Sequence, residues 1–295
     1  MGTTSGPAPS CNIVRASDVS TMNIAVQTLA NGGLVAIPTE TVYGLGAAIN
    51  NEVAIAKIFV VKGRPQNHPL IVHLADIDQL HQVAHDIHPD AIKLAHACWP
   101  GPLTLLLHRN ENVSTSITGG RDTVAVRIPD NAFTRQLILD LGSPIAAPSA
   151  NRFGKVSPTT AQHVCDDLQN DVDLIVDDCA SSIGVESTIV DCTTQHPIIL
   201  RSGFVTKEDI EGTLEIVGVK VASTSAIRFS GSFEKHYAPK CRVILDSAGG
   251  ENSGFFALSE VSTPAGMTRL GSPENLEEFA RLLYATFRAA DHLGL

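Results

Sequence analysis

The chain has 295 residues, of which 43% are hydrophobic and 18% are charged, and its formal net charge is −10. This balance is typical of a globular protein that buries a sizeable core. A protein that holds a nucleic-acid duplex usually presents a basic surface, so the acidic balance argues against RNA as the primary ligand. No apolar run approaches the roughly 18 residues of a transmembrane helix, and we therefore expect no membrane span.

The predicted elements of the first third alternate between helices and short apolar strands. A first helix begins after Ser17-Asp18 and ends at Gly32-Gly33. The elements that follow are a strand at 34–37, a helix at 51–62, a strand at 70–74, and helices at 77–87 and 89–98.

The same alternation continues to about residue 200. The predicted elements are strands at 103–107 and 123–128, a helix at 131–141, a strand at 144–147, a helix at 159–168, and strands at 174–176, 188–190 and 198–200. Strands interleaved with helices indicate an α/β sheet, and the close spacing of the last strands predicts that the sheet is mixed.

The remaining sequence divides the chain into four predicted segments. Residues 1–13 read as a disordered N-terminus without signal-peptide character, 14–217 as the main domain, and 218–240 as a linker. Residues 241–295 contain predicted strands at 243–245 and 255–258 and a helix at 274–293. Such a short segment is small for an independent domain, so we expect it to lean on the larger one.

Six cysteines are scattered along the chain without a C-x-x-C pair. They are Cys11, Cys98, Cys165, Cys179, Cys192 and Cys241. The pattern fits neither a zinc site nor a compact disulfide framework, and we interpret all six as free thiols of a cytoplasmic protein.

Two early clusters carry residue types suited to a phosphate-bearing ligand. Hydroxyl groups and glycines fill the segment 38–46, Pro-Thr-Glu-Thr-Val-Tyr-Gly-Leu-Gly, directly after a strand, where open α/β sheets bind ligands. Lys62 and Arg64 flank a glycine at a helix end and suit phosphate oxygens. A plain turn explains the first cluster equally well, and a favourable helix dipole explains the second.

Two later clusters lie in strand connections. Ser149, Asn151 and Ser157 follow a strand and suit phosphate or ribose, although Ser157-Pro158 is also a strong helix N-cap signal. Arg127 and Arg201 each close a strand and suit a carboxylate or phosphate, with a surface ion pair as the alternative.

Two tempting sites are less well supported. His81, His85 and His88 are spaced as on a helix, but no H-E-x-x-H motif is present, so a solvated face is favoured over a metal site. Neither Ser149 nor Ser187 lies in a G-x-S-x-G elbow, which argues against a hydrolase nucleophile.

Taken together, the clusters resemble the YrdC-like superfamily, in particular its longer members, the threonylcarbamoyl-AMP synthases. The resemblance rests on five motifs in order: Pro-Thr-Glu-Thr-Val-Tyr-Gly-Leu-Gly, Lys-Gly-Arg-Pro with His-Pro-Leu-Ile-Val-His, Val-Arg-Ile-Pro, Pro-Ser-Ala-Asn and Glu-Ser-Thr. It covers about residues 14–215. It resumes at residues 235–239, which read Lys-His-Tyr-Ala-Pro. The implied fold is a twisted mixed α/β sheet with a central cleft, plus a small, truncated C-terminal α/β region.

The resemblance also implies a reaction and its site. L-threonine, bicarbonate and ATP, with Mg²⁺, would give threonylcarbamoyl-AMP and pyrophosphate for tRNA modification, with Lys62 and Arg64 as the catalytic cations. Threonine is expected near Thr41, His73, Arg127, Ala147 and Ser187. ATP is expected near Lys62, Arg64, His68, Thr123, Ser149, Asn151, Ser157, Arg201 and Tyr237. A downstream threonylcarbamoyl-transferase would receive the product, and tRNA would be engaged only indirectly.

The sequence departs from the family pattern at three places. His68 stands where many members have Asn, residues 230–234 replace a Pro-Gly-Met-type stretch, and the C-terminal region is markedly short. Two other functions are possible for such a domain. One is an RNA-binding module without adenylating activity, which the acidic balance disfavours. The other is a carbamoyl-transfer domain of the hydrogenase-maturation type, which normally lies in a larger chain with zinc-finger cysteines.

Overall fold

A computed structural model describes residues 11–222, 238–246, 249–250 and 252–295. The helices of these ranges are α1 (Thr21–Ala30), α2 (Glu52–Lys62), α3 (Leu80–Val83), α4 (Pro89–Cys98), α5 (Thr115–Thr118), α6 (Ala132–Leu141), α7 (Ala161–Leu168), α8 (Lys207–Leu214) and α9 (Leu276–Leu293). The strands are β1 (Ile13–Arg15), β2 (Val35–Ile37), β3 (Gly44–Ala48), β4 (Ile71–His73), β5 (Ala84–His85), β6 (Leu103–Arg109), β7 (Thr123–Arg127), β8 (Ile145–Ala146), β9 (Leu174–Asp177), β10 (Thr188–Asp191), β11 (Ile198–Arg201), β12 (Lys220–Val221), β13 (Gly254–Phe256) and β14 (Thr268–Gly271).

Within the described ranges, twelve strands form one mixed sheet, which confirms the predicted α/β class. Their order is β1-β9-β2-β3-β8-β4-β7-β6-β10-β11-β12, with β5 paired to β6. The strand β4 runs parallel to β7, whereas β8 runs antiparallel to β4 and β6 antiparallel to β7. Because of this register, His73 lies opposite Arg127, and the last residues of β4 and β7 share one edge of the sheet.

Helices cover both faces of the sheet, because alternate residues of one strand pack into two different core clusters. Leu34 and Ala36 pack into the larger core cluster, together with residues of α2, α4 and α7. Val35 and Ile37 point to the opposite face and join a second cluster with residues of α1 and α6. Successive side chains of a strand point to opposite faces, so a strand buried on both sides is apolar throughout.

The best-predicted helix is α2, because its sequence carries signals at both ends. The Asn51 side chain accepts a hydrogen bond from the Ala54 amide at the start, and Gly63 adopts a left-handed conformation at the end. These are the preferred N-cap and C-cap residues of an α-helix.

Several predicted boundaries are wrong. The predicted helix 77–87 is a short 3₁₀ turn, the four-residue α3 and the strand β5. Ser17-Asp18 does not cap α1, whose N-cap is Ser20. The helix predicted from residue 159 begins at Ala161 behind the cap Thr160, which replaces Ser157 in that role. Residues 243–245 are not a strand.

The structure also contains helices and strands where the sequence analysis predicted none, including part of the segment 38–46. Gly44–Ala48 is a fully buried strand, although its glycines and alanines carry no β-propensity signal. The helix α8 and the strands β1, β12 and β14 were not predicted. Val221 of the predicted linker pairs with Ile199, so the main sheet extends past residue 217.

A disulfide joins Cys11 to Cys165, which corrects the prediction that all six cysteines are free thiols. The two residues are 154 positions apart, and nothing in their local sequence indicates that β1 and α7 meet. Residue 11 is therefore anchored, although the predicted disordered N-terminus extended to residue 13. Cys98, Cys179, Cys192 and Cys241 are free thiols.

The C-terminal residues pack against the large domain, as expected. The parallel pair β13–β14 contributes no strand to the main sheet. The helix α9 packs Tyr284 against Val42 and Val156 of the main domain, and Arg288 donates to Asp167 at 2.9 Å. Across the described ranges, no helix is both long and apolar enough to cross a membrane.

Candidate functional site

One edge of the sheet opens into a cleft that is connected to solvent. The cleft lies where β4, β7 and β11 end and where β6 and β10 begin, since β10 is parallel to β6 and antiparallel to β11. The lining residues are Thr39, Thr41, Val42, Gly44, Arg64, Ile71, His73, Arg127, Ala147, Pro148, Ser149, Glu186, Ser187 and Arg201.

All five residues expected to bind threonine line this cleft, and all five are buried. Arg127 donates from Nη1 to Thr41 Oγ1 at 2.8 Å, which fixes the relative placement of the two. Ser187 shares a hydrogen bond of 2.7 Å with Thr104, the second residue of β6. The structure therefore brings together residues that lie between positions 41 and 187 of the sequence.

Arg127 is half of a buried ion pair rather than of the surface pair that sequence reasoning left open. Its Nη2 donates to Glu40 Oε1 at 2.5 Å, and its Nε donates to the Gly101 carbonyl oxygen at 3.2 Å. The other Glu40 oxygen accepts from the Asp130 amide. The guanidinium is thus held by three partners on two segments, Glu40 and Thr41 on one and Gly101 on the other.

Glu40 was missed as a site residue, although it lies inside the first motif. A carboxylate surrounded by hydroxyl residues in a loop gives no sign of a partner 87 positions away. Thr39 was missed for a similar reason. Its hydroxyl caps the turn by donating to the Val42 carbonyl oxygen at 2.6 Å and contacts Thr41 Oγ1 at 3.0 Å.

His73 is neutral over the ordinary pH range. Burial, reinforced by the Arg127 cation, lowers its pKa to about 3, and its Nδ1 lies 3.2 Å from the Ile71 carbonyl oxygen. A neutral imidazole can donate from one nitrogen and accept at the other, so His73 is suited to a hydroxyl or amine group rather than to an anion.

The expected nucleotide residues divide into two sets. Arg64, Ser149 and Arg201 line the cleft. Arg64 donates from Nη2 to the Pro69 carbonyl oxygen, and Arg201 donates to the carbonyl oxygen and the hydroxyl of Ser187. Arginines held by such contacts present fixed forks to phosphate oxygens.

Lys62 lies behind the cleft wall rather than in its lining. Its Nζ donates to the carbonyl oxygens of Ser149 and Asn151, both at 2.5 Å. Burial, with the neighbouring Arg64 second, lowers the pKa of Lys62 well below its usual range, while the carbonyl oxygens around Nζ favour the ammonium form. In this structure Lys62 holds the segment 148–151 through these two carbonyl oxygens, and it is not among the residues that line the cleft.

Four further predicted nucleotide residues do not line the cleft. Asn151 donates to the carbonyl oxygens of Arg152 and Lys155, and Ser157 donates to Glu186. His68 packs edge-on against Phe153, with ring centroids 5.3 Å apart. Thr123 begins β7, about 13 Å along the strand from Arg127 at the cleft end. Tyr237, the predicted lid residue, lies outside the described residues.

The cleft is positively charged although the chain is acidic. Three arginines line it, and Glu186 is the one acidic side chain among the lining residues within the described ranges. Anionic ligands are favoured by such a local field, whatever the net charge of the whole chain. Within the same ranges, no group of three or more His, Cys, Asp or Glu side chains is arranged to hold a metal ion.

Two family models match the chain, one after the other. A family model described as telomere recombination, Sua5/YciO/YrdC, matches residues 27–203. A second model, described as threonylcarbamoyl-AMP synthase, C-terminal domain, matches residues 205–295.

Similar proteins cover most of the chain. A threonylcarbamoyl-AMP synthase of Pyrococcus abyssi is 40% identical over 93% of this chain and 86% of its own length. One from Bacillus subtilis is 47% identical over 64% of this chain and 55% of its own length. The crystal structure of P. abyssi Sua5 complexed with L-threonine matches with a TM-score of 0.86 and 37% identity, covering 96% of this chain and 89% of that one. E. coli YciO, at 23% identity and a TM-score of 0.57, shares the fold.

Proposed function

The chain belongs to the Sua5/YciO/YrdC family, and from this premise we propose that it is a threonylcarbamoyl-AMP synthase, a nucleotidyltransferase. The family match and the curated relatives of that name favour this reading over an RNA-binding module without adenylating activity. The observation that carries the proposal is the single cleft in which Arg127 and Ser187 meet Arg64, Ser149 and Arg201.

We propose that the end of the cleft around Arg127 binds L-threonine. The guanidinium, fixed by Glu40 and Thr41, is suited to the carboxylate of an amino acid. Neutral His73 and the hydroxyl groups of Thr41 and Ser187 are suited to the substrate hydroxyl. A site built to hydrogen-bond a hydroxyl group rejects analogues that lack it, because its own polar groups are then left unpaired. The relative solved with L-threonine supports this assignment.

We further propose that ATP binds at the end that Arg64, Ser149 and Arg201 line. Arginine forks and a serine hydroxyl are suited to phosphate oxygens. Mg²⁺ would be held mainly by the substrate phosphates and by waters, as is usual for this ion. When bound, Mg²⁺ neutralises phosphate charge.

The proposed reaction needs no protein nucleophile. The threonine ammonium group releases a proton to solvent, and the resulting amine combines with bicarbonate to give a carbamate and water. A carbamate oxygen then forms a bond to the α-phosphorus, and the bond from that phosphorus to the pyrophosphate oxygen breaks. The protein contributes alignment of the two substrates and fixed positive charge, and well-oriented reactants gain roughly 7–11 kcal/mol by such alignment.

Three features of the cellular role are proposals that rest on the family membership. They are a cytoplasmic location, a downstream threonylcarbamoyl-transferase that accepts the product, and an indirect relation to tRNA. The acidic net charge of −10 supports the third, because direct tRNA binding depends on neutralising backbone phosphates.

The decisive experiment is pyrophosphate release in the presence of ATP, Mg²⁺ and labelled bicarbonate. We expect turnover with L-threonine and a loss of about 10- to 200-fold with serine, which lacks one methyl group. 2-Aminobutyrate, which keeps the methyl but lacks the hydroxyl, should react least, and label should appear in an AMP-linked product.

The control is the same mixture freed of CO2 and bicarbonate, in which release should stop. Pyrophosphate release that continues without threonine or bicarbonate would refute the proposed function. A salt-dependent RNA mobility shift without ATP turnover would instead support the RNA-binding alternative.

A further inference from the structure

The cleft contains one acidic side chain whose position the reaction described above does not explain. Glu186 lines the same cavity as Arg64, Arg127 and Arg201. An amino acid brings an ammonium group as well as a carboxylate, and an ammonium group has three donors and no acceptor. The three arginines suit the anionic groups of the substrates, so the carboxylate of Glu186 is the complementary partner for the cationic one.

Glu186 is held at both of its oxygens. The hydroxyl of Ser157, which is fully buried, donates to Oε1 at 2.5 Å. The hydroxyl of Tyr284 donates to Oε2. Because each carboxylate oxygen has about two acceptor sites, both can accept a further hydrogen bond from a ligand while the orientation of the group stays fixed.

Tyr284 reaches Glu186 from the C-terminal helix α9. It is buried, and its ring packs between Val42 of the first motif and Val156 of the loop before α7. Gly184, two residues before Glu186, has a φ of +77° and lies so close to α9 that an added Cβ would stand 2.4 Å from the Arg281 carbonyl oxygen. The helix is therefore seated directly on the segment 184–187 that forms one wall of the cleft.

We propose that Tyr284 is a positioning residue that, with Ser157, fixes the Glu186 carboxylate to receive the ammonium group of the amino acid substrate. The inference rests on the proposed synthase function and adds two things to it. It names the group that recognises the threonine amine, and it gives the C-terminal helix a part in substrate binding in addition to packing.

The test compares Tyr284→Phe and Glu186→Gln with the wild type in the threonine-dependent pyrophosphate assay. Glu186→Gln removes the charge, and the threonine KM should rise by at least about tenfold. Tyr284→Phe removes only the hydroxyl, and a rise of a few fold is expected, since Ser157 still holds the other oxygen. The ATP KM should not change in either variant, because neither substitution removes a group assigned to the nucleotide.

Two measurements separate positioning from general packing. Phe287→Leu changes the packing of α9 in the same cluster without removing a hydroxyl, and its threonine KM should match the wild type. 3-Hydroxybutanoate, which is threonine without the amine, should inhibit the wild type and Glu186→Gln with the same constant. The double variant Tyr284→Phe/Glu186→Gln should be no worse than Glu186→Gln alone.

Three results would overturn the inference. The first is an unchanged threonine KM in Tyr284→Phe while the wild type turns over normally, which refutes the inference alone. The second is an equal rise in the ATP KM or in the Mg²⁺ requirement, which would place Glu186 at the nucleotide. The third is a wild type without threonine-dependent pyrophosphate release, which refutes the proposed function and this inference with it.

Discussion

At the scale of single residues, the cleft depends on a buried charge that has one buried counter-charge. The side chains of Arg127 and Glu40 are each only 5% exposed, and their closest atoms are 2.5 Å apart. Removing one member of a buried pair leaves the other charge without compensation in a poorly solvated place. We therefore expect Arg127→Ala to lower the free energy of unfolding by about 3–5 kcal/mol, measured by urea denaturation, and to abolish threonine turnover.

The matched control for Arg127→Ala is Arg135→Ala. Arg135 forms an ion pair of 3.5 Å with Asp130, whose side chain is 62% exposed. Exposed pairs contribute about 0–1 kcal/mol, so this variant should unfold almost as the wild type does and keep its activity. Equal losses of stability in the two variants would show that the Arg127–Glu40 pair contributes no more to the free energy of unfolding than an exposed ion pair does.

His73 makes the stability of the fold depend on pH. Its native pKa is about 3 and its ordinary value is 6.5, so between these two pH values the unfolded chain binds a proton that the native state does not. Stability contributed by neutral His73 is complete above pH 6.5 and is lost as the pH falls toward 3. From pH 7.5 to 5 the loss from this residue should be about 2 kcal/mol.

The measurement is urea unfolding of the wild type and of His73→Gln at pH 7.5 and pH 5. Glutamine does not titrate, so the free energy of unfolding of the variant should fall between pH 7.5 and pH 5 by about 2 kcal/mol less than that of the wild type. A second, partly buried imidazole, His163, has a pKa lowered to about 4 by desolvation and by Arg288, and His163→Gln should flatten the curve similarly. Parallel curves for wild type and His73→Gln would contradict the prediction.

Sequence reasoning located the cleft residues better than it located their partners. The shared placement of Arg127 and Ser187 was implied by the family resemblance, and the structure puts Arg127 at the end of β7 and Ser187 directly before β10. Glu40 could not be identified as the counter-charge, because the pairing joins residues 87 apart. Thr123 was placed at the nucleotide by resemblance, whereas β7 carries it to the end opposite Arg127.

At the scale of elements, α2 and the loop before α7 are joined by one lysine. Lys62, the last residue of α2, holds the carbonyl oxygens of Ser149 and Asn151, and these two residues follow β8. A buried carbonyl oxygen that loses its donor costs about 1–3 kcal/mol. We expect Lys62→Met to lower turnover strongly and also to destabilise the protein by about that amount.

Arg64→Ala separates these two effects. Arg64 lines the cleft, so its removal should lower turnover and raise the ATP KM with a smaller change in urea midpoint than Lys62→Met shows. An unchanged urea midpoint in Lys62→Met would show that Lys62 does not stabilise the segment that follows β8.

Elements with strong end signals were predictable, and elements made by distant pairing were not. The helix α2 has Asn51 and Gly63 at its ends, and its predicted bounds, 51–62, differ by one residue from those observed. The predicted helix 77–87 rested on apolar spacing and on Pro89 as its end, whereas residues 84–85 pair with β6 and form β5. Tertiary pairing therefore overrode local periodicity there.

At the scale of the whole molecule, the disulfide between Cys11 and Cys165 ties the first described residue to α7 across 154 positions. A cross-link that closes so long a loop restricts the unfolded chain, and chain entropy predicts a stabilisation of about 5 kcal/mol for a loop of this size. We expect dithiothreitol to lower the urea midpoint of the wild type. Cys165→Ser should start lower and not respond, whereas Cys179→Ser, which removes an exposed free thiol, should respond as the wild type does.

Thiol counting under denaturing conditions decides the oxidation state independently of stability. The chain has six cysteines, and one disulfide leaves four that an alkylating reagent labels before reduction. Cytoplasmic glutathione and thioredoxin normally keep thiols reduced, so counting should be done both on protein alkylated in the cell and on air-exposed protein. Four labelled thiols in the first sample would show that the bond forms where the protein works. Six labelled thiols in both samples, with a urea midpoint that does not respond to dithiothreitol, would contradict the cross-link.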